Sequence, residues 1–255
     1  MGAEPIVVFD GKPPVAKTEV TERRQADRAA ARARTAVLRE ELATTPDLTE
    51  TERGEREVEI ATLQAASPSI ARPEKNELKQ FLYAAGVLAV TAQGEADDLL
   101  GFLARSGAVT AVVSTDYDML ARGVGCLIIP ETPDAAVCTQ IRLGGVLADL
   151  RLTYDQFVVA CVLMGSDYSP KGWTGLLPAV AVDRARTGVE LGDVCVGMER
   201  AASLLRGDGV RGLTDLLDEY QLAKWARGAP AREPEALERF FMENSWPAEW
   251  RAGLF

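Results

Sequence analysis

The chain of 255 residues contains no histidine. This absence excludes Ser-His-Asp and Cys-His catalysis and every zinc site that needs a histidine ligand. Any catalysis must therefore rest on carboxylates, lysines, hydroxyls or a hard metal ion.

Long apolar runs and paired cysteines are also missing. No run approaches the roughly 18 to 20 residues that span a bilayer, and "MGAEPIVVFDGKPP" lacks the basic and apolar regions of a signal peptide. The four cysteines show no CxxC spacing, so we expect no disulfides. We expect an intracellular protein without a membrane partner. A eukaryotic or nuclear-virus source would place it in the nucleus, and any other source in the cytoplasm.

Positive charge is scarce overall, because the net charge is −10, but it is unevenly distributed. Four basic residues spaced 7, 4 and 4 apart would share about a quarter of a helix circumference. This cationic stripe consists of Lys17, Arg24, Arg28 and Arg32. The alternative is a solvated face in which the stripe pairs with Glu19, Glu22 and Asp27.

The segments predict an α/β fold, and the 47% hydrophobic content suffices for one large core or two modest ones. "PIVVF", "VLAVT", "AVTAVVST" and "GCLIIPE" are typical of buried strands. A long helix is predicted over about 18–42, where Ala, Arg and Glu are frequent and Gly and Pro are absent. The segment "TTPDLTETERGEREVEIATLQAA" is predicted to be a turn followed by a second helix. Further helices are predicted over 74–85, in "GEADDLLGFLARSG" and from Thr153 onward. Strands that alternate with helices predict a parallel sheet.

Acidic residues follow three of these strands. They are Asp10, Glu95, Asp97, Asp98, Asp116 and Asp118. The carboxyl ends of parallel strands form the ligand crevice of an open α/β sheet, so these acids should converge. Two like charges about 4 Å apart cost roughly 4 kcal/mol at an effective dielectric near 20, so a converged cluster needs a cation. Oxygen ligands without histidine favour Mg²⁺ or Mn²⁺. Taken singly, each motif has a simpler interpretation: acids that complement a helix dipole, or aspartates of a turn.

Four motifs in order resemble the flap endonuclease and XPG-type 5′ nuclease family. They are "VVFDGKPP", "GEADDLL", "STDYDML" and "FVVACVLMGSDYSP". The resemblance implies six metal ligands: Asp10, Glu95, Asp97, Asp116, Asp118 and Asp167. They would hold two Mg²⁺ ions, for which Mn²⁺ should substitute. Phage-type members carry a further acid at the place of Asp98.

The same resemblance implies the residues that contact DNA. Lys17 and Arg24 match the positions of a lysine and an arginine that touch the scissile phosphate, and we expect them to be catalytic. Glu95, Gly165 and Asp167 are expected near the DNA. Gly172 and Gly175 would form the hairpin of a helix-hairpin-helix element, although Leu177 and Pro178 replace its usual basic residues. Pro178 suits the first turn of a helix.

The implied architecture is a PIN-like 5′ nuclease fold with a mostly parallel central sheet. Residues 1–150 would form the α/β core with a helical arch at about 17–80, and residues 151–255 a helical DNA-binding region. The family normally has a further segment ahead of "VFDG", with another strand and another ligating aspartate. We therefore expect the chain to be a fragment, to need a separately encoded piece, or to have reduced activity.

Three functions follow from these observations. The first is a structure-specific 5′ nuclease acting on branched or flapped DNA as a monomer. The second is a DNA-junction binding protein that has lost cleavage. The third, supported only by the net charge, is an acidic interaction module. "PEALERFF" has part of the spacing of a sliding-clamp peptide, but Pro234 holds the glutamine position, so an amphipathic core helix is the better interpretation.

Overall fold

The computed structural model describes residues 3–12, 14, 18–45, 48–66, 72–132, 137–166, 168, 176–188 and 195–243. The chain divides into two compact units. The smaller is Thr18–Phe81, and the larger combines Met1–Lys17 with Leu82–Phe255. Position 150 lies inside the larger unit, and the predicted division of the chain there stays a prediction.

The smaller unit is built on two long helices, α1 (Thr18–Thr44) and α2 (Glu50–Ala66). The predicted helix over 18–42 is confirmed and is two residues longer than expected. Leu38 of α1 and Ile60 of α2 are buried. The predicted stripe residues that the structure describes, Arg24, Arg28 and Arg32, are exposed on α1.

The strands of the larger unit form two hydrogen-bonded sheets. In the first, β1 (Ile6–Phe9) pairs in parallel with β2 (Leu88–Thr91). In the second, β3 (Val112–Val113) is parallel to β4 (Cys126–Pro130), and β4 is antiparallel to β5 (Cys138–Arg142). The predicted parallel α/β arrangement is confirmed, whereas β5 is an additional strand that we did not predict.

Nine further helices complete the described part of the chain, and the boundary between the two units falls within the first of them. They are α3 (Arg72–Ala84), α4 (Ala96–Arg105), α5 (Asp118–Ala121), α6 (Leu143–Leu150), α7 (Tyr154–Met164), α8 (Pro178–Thr187), α9 (Cys195–Arg206), α10 (Glu219–Arg227) and α11 (Pro234–Glu243). A short 3-10 helix spans Leu213–Asp215. Among the described residues, no helix is long and apolar enough to cross a membrane.

Helix α4 connects two hydrophobic clusters of the larger unit. Leu99 and Leu103 are buried in a cluster with strands β1 and β2. Leu100 and Ala104, on the adjacent face, pack against a second cluster that contains Val112, helix α7 and helix α8. The first turn of α4 carries the "EADD" acids, so this packing fixes their positions relative to both sheets.

The helices near the C-terminus begin and pack as their sequences indicate. Helix α7 begins with a capping box formed by Thr153 and Gln156, and Pro178 lies in the first turn of α8, as predicted. Leu237 and Phe241 of α11 are both fully buried. This burial confirms that "PEALERFF" is an amphipathic core helix.

Candidate active site

Asp10 lies at the end of β1 and connects it to helix α4. Its Oδ1 accepts a hydrogen bond from the N–H of Ala96, the first residue of α4, at 2.9 Å. Glu95 holds the N-cap position of this helix but makes no side-chain capping bond. Asp10 therefore stabilises the start of α4 from a neighbouring strand, and it lies at the same end of the parallel pair β1–β2 as the "EADD" acids.

The turn after β1 is bonded to the loop that precedes α4. The N–H of Gly11 donates to the carbonyl of Gly94 at 2.7 Å, and that of Lys12 donates to Gln93 at 3.0 Å. A side chain at Gly11 would overlap the carbonyl oxygen of Ala92. Glycine at position 11 is thus required by the close approach of two backbone segments, and this approach places Asp10 beside the acids of α4.

Asp116 and Asp118 follow β3 in a compact turn. Asp116 Oδ1 accepts the N–H of Asp118 at 2.8 Å, and the N–H of Asp116 donates to Ser114 Oγ at 3.1 Å. Asp116 is exposed and Asp118 is half-buried at the start of α5. The two aspartates therefore form a turn that leaves their carboxylates at the carboxyl end of β3, although neither side chain caps α5.

Cys161 of α7 is close enough to Asp118 for the charge of this aspartate to affect the pKa of its thiol. Burial, and to a lesser extent the charge of Asp118, raises the pKa of the Cys161 thiol to about 12. This cysteine is therefore a neutral thiol near neutral pH and supplies neither a nucleophile nor a thiolate ligand.

A buried arginine that we did not predict contacts the "EADD" acids. Arg122, just after α5, is 2% exposed, and its Nη1 donates to Asp98 Oδ1. Its Nη2 donates to the hydroxyl of Tyr168 at 2.9 Å, and that hydroxyl donates to Glu95 Oε2 at 2.8 Å. Nη2 also lies 3.6 Å from Glu95 Oε2. The contact with Asp98 brings the chain after β3 against the first turn of α4.

The guanidinium of Arg122 stays protonated. Burial acts to lower the pKa of its guanidinium, but the charge of Asp98 and the contact with Tyr168 raise that pKa above its usual value. Arg122 is therefore a permanent cation inside the acidic site. No spacing rule in the sequence predicts it; the only signal is an arginine placed within the apolar run "MLARGVGCLII".

The described acids do not form a complete metal cluster by themselves. Among the described residues, no group of three or more acidic or cysteine side chains could hold a metal ion. Asp10 binds the backbone of α4, Asp116 binds its own turn, and Glu95 is engaged by Tyr168. The expected convergence of six ligands stays a prediction, and Asp167 lies outside the described residues.

The remaining predicted residues are divided between the two units. Arg24 is exposed on α1 of the smaller unit, whereas Lys17 lies outside the described residues. Gly165 ends α7 with a φ of 109°, a conformation that favours glycine, and apart from its chain neighbours no described residue would lie within 4 Å of a Cβ atom at this position. Gly172 and Gly175 lie outside the described part of the chain, so the predicted hairpin is not tested.

Comparisons with known proteins agree with these motifs. Residues 86–167 match the family model described as the XPG I-region. A flap endonuclease 1 from Methanosphaerula palustris is 34% identical over 192 residues, covering 71% of this chain and 53% of the relative. One from Methanocaldococcus jannaschii is 31% identical over 188 residues, covering 72% and 53%. The chain thus spans about half the length of these relatives.

Solved structures share the fold. Flap endonuclease-1 from Methanococcus jannaschii superposes with a TM-score of 0.54 at 22% identity, covering 96% of this chain and 72% of that one. The catalytic core of Rad2 in complex with DNA substrate gives a TM-score of 0.57 at 16% identity, covering 99% and 77%. At these identities the superpositions establish the PIN-like α/β fold.

Proposed function

Because the chain belongs to the flap endonuclease and XPG-type nuclease family, we propose that it is a metal-dependent, structure-specific 5′ nuclease acting on branched or flapped DNA. The observation that carries this proposal is the position of the XPG I-region match. Residues 86–167 span the "GEADD" and "STDYD" acids, and these lie at the carboxyl ends of β2 and β3. Open α/β sheets place their ligands there.

The carboxylate side chains of the site are chemically suited to bind divalent cations. Two Mg²⁺ or Mn²⁺ ions would activate water and stabilise the leaving oxygen in hydrolysis of a phosphodiester. All the proposed ligands offer carboxylate oxygens, which such hard ions prefer: Asp10, Glu95, Asp97, Asp116, Asp118 and Asp167. Asp10 and the Asp116 turn contribute positioning as well, because their backbone contacts hold the ends of β1 and β3 in fixed conformations.

Basic residues and glycines would contact the DNA. We propose that Lys17 and Arg24 stabilise the charge that develops on the scissile phosphate. Gly165, where α7 ends, would lie against the DNA backbone, and Gly172 and Gly175 would offer backbone N–H groups to phosphates in the hairpin. The protein would act inside the cell, because its substrate is DNA, and it would act as a monomer.

The central test is cleavage of a 5′-flap DNA in Mg²⁺ by the variant Asp116→Asn. Asparagine keeps the oxygen that accepts the Asp118 N–H, so the turn is preserved while the charge is removed. We expect the cleavage rate to fall about 100-fold or more. The matched control is Asp149→Asn, which removes an exposed acid of α6 away from the proposed ligands and should cleave like the wild type.

Two outcomes would contradict the nuclease proposal. Cleavage that is equal in Asp116→Asn and the wild type would reject Asp116 as part of the site. Flap binding without cleavage in Mg²⁺ or Mn²⁺, even with protein in excess, would favour the junction-binding alternative.

A further inference from the structure

Arg122 places a cation where the proposed function expects only acids and metal ions. It is almost fully buried, it contacts Asp98 directly, and it reaches Glu95 through the hydroxyl of Tyr168. Its guanidinium carbon also lies 5.9 Å from the centre of the Tyr168 ring. Arg122 thus links Glu95, which is a proposed metal ligand, with Asp98, which is not.

The surrounding backbone holds this arginine rigidly. Tyr154 donates its hydroxyl to the carbonyl of Ala121 at 2.7 Å, and Arg105 donates to the carbonyl of Arg122. Gly101 of α4 leaves room for the arginine, because a side chain there would lie 3.2 Å from Arg122 Cβ. These contacts fix the main chain and Cβ of Arg122, while the hydrogen bonds to Asp98 and Tyr168 hold its guanidinium.

The positive charge of Arg122 affects how strongly the acidic site can bind a metal ion. A buried guanidinium neutralises one carboxylate and repels any divalent cation nearby, and both effects are large where water is excluded. Asp98 and Arg122 together add no net charge to the site. The Oε2 of Glu95 is directed toward Tyr168 and Arg122.

We propose that Arg122 is a positioning residue and the internal counter-ion of the acidic site: it neutralises Asp98, orients Glu95 through Tyr168, and thereby weakens the binding of divalent cations. This inference rests on the proposed function, because it assumes that the remaining acids bind metal.

The test measures Mn²⁺ binding to the complete chain without DNA, by calorimetry and by the loss of the EPR signal of free Mn²⁺. In Arg122→Met, which has a similar apolar stem and no charge, we expect Mn²⁺ to bind about tenfold more tightly. In Arg122→Lys, which keeps the charge, and in Arg206→Met, which breaks a different ion pair, affinity should stay within about twofold of the wild type.

A double variant identifies the carboxylate responsible. Arg122→Met with Asp98→Asn removes the pair as a neutral unit, so the gain in Mn²⁺ affinity should disappear. A merely structural role for Arg122 would instead weaken Mn²⁺ binding in Arg122→Met, and that result would overturn the proposal. Persistence of the gain in the double variant would overturn it as well.

Two further measurements of Mn²⁺ binding test the proposal. If Arg122→Met does not fold, Asp98→Asn alone should bind Mn²⁺ about threefold or more weakly, and unchanged affinity would overturn the inference. Because no DNA is present, wild-type protein that binds Mn²⁺ but does not cleave flaps would reject the nuclease function while leaving the role of Arg122 testable. Absence of Mn²⁺ binding in every variant would overturn the inference itself.

Discussion

Gly11 follows the proposed ligand Asp10 and lies against the loop between β2 and α4. A Cβ atom at this position would overlap the carbonyl oxygen of Ala92 and lie 2.6 Å from that of Gln93. Both obstacles are backbone atoms, which cannot rotate away as a side chain could. The constraint at Gly11 is therefore one of space.

We predict that Gly11→Ala lowers the free energy of unfolding by about 2–3 kcal/mol, because two backbone segments must separate to admit the methyl group. Urea denaturation measures this loss. The control Gly144→Ala, within helix α6 and with open space around it, should instead gain about 0.5–1 kcal/mol. A Gly11→Ala protein as stable as the wild type would show that this close approach is absent.

Residue contacts across long distances in the chain were the least predictable feature. The sequence pattern correctly placed Asp10 after a strand and Glu95 at a helix start, because strand ends and helix starts have local signals. The hydrogen bond from Ala96 to Asp10 joins residues 86 positions apart, and the contact of Arg122 with Asp98 joins residues 24 apart. Such contacts arise only when the strands and helices pack.

Helix α11 shows how burial distinguishes two interpretations of one segment. Leu237 and Phe241 are four residues apart, so they share one helical face, and both are fully buried. A clamp-binding peptide would have to expose these side chains. In this chain they are instead part of the core of the larger unit.

We predict that Phe241→Ala lowers the free energy of unfolding by about 3–5 kcal/mol, because it removes a large side chain from a closed site. The neighbouring Met242, which is 65% exposed, is the matched control, and Met242→Ala should change stability by less than about 0.5 kcal/mol. Equal small effects in thermal or urea unfolding would mean that α11 does not pack as described.

Helices were predicted better than strands, for a physical reason. Helix α1 has a continuous composition of helix-forming residues, and its bounds, Thr18–Thr44, nearly match the expected range. Strand β5, Cys138–Arg142, was missed because four of its five residues are exposed and its sequence "CTQIR" is mostly polar. It is stabilised by antiparallel pairing with β4, which no local pattern indicates.

Charge is distributed unevenly over the whole molecule, and this distribution governs how an acidic protein could hold DNA. The net charge is −10, whereas α1 exposes Arg24, Arg28 and Arg32 on the smaller unit. Arg34 of the same helix is already paired with Glu59 at 2.7 Å. The three exposed arginines of the stripe and the acidic site therefore belong to different compact units.

We predict that flap binding by the triple variant Arg24→Gln, Arg28→Gln and Arg32→Gln is weaker and less sensitive to salt. Each arginine that no longer neutralises a phosphate lowers the slope of log affinity against log salt by about 0.7 for a single strand, so replacing all three lowers it by about 2. The slope is obtained from flap binding measured by fluorescence anisotropy at several salt concentrations, in Ca²⁺, which should not support cleavage.

The control Arg34→Gln should leave the salt slope nearly unchanged, because the charge of Arg34 is already compensated by Glu59. Equal slopes in the triple variant and the wild type would place the DNA away from α1, and the stripe would then be the solvated face that its sequence also allows.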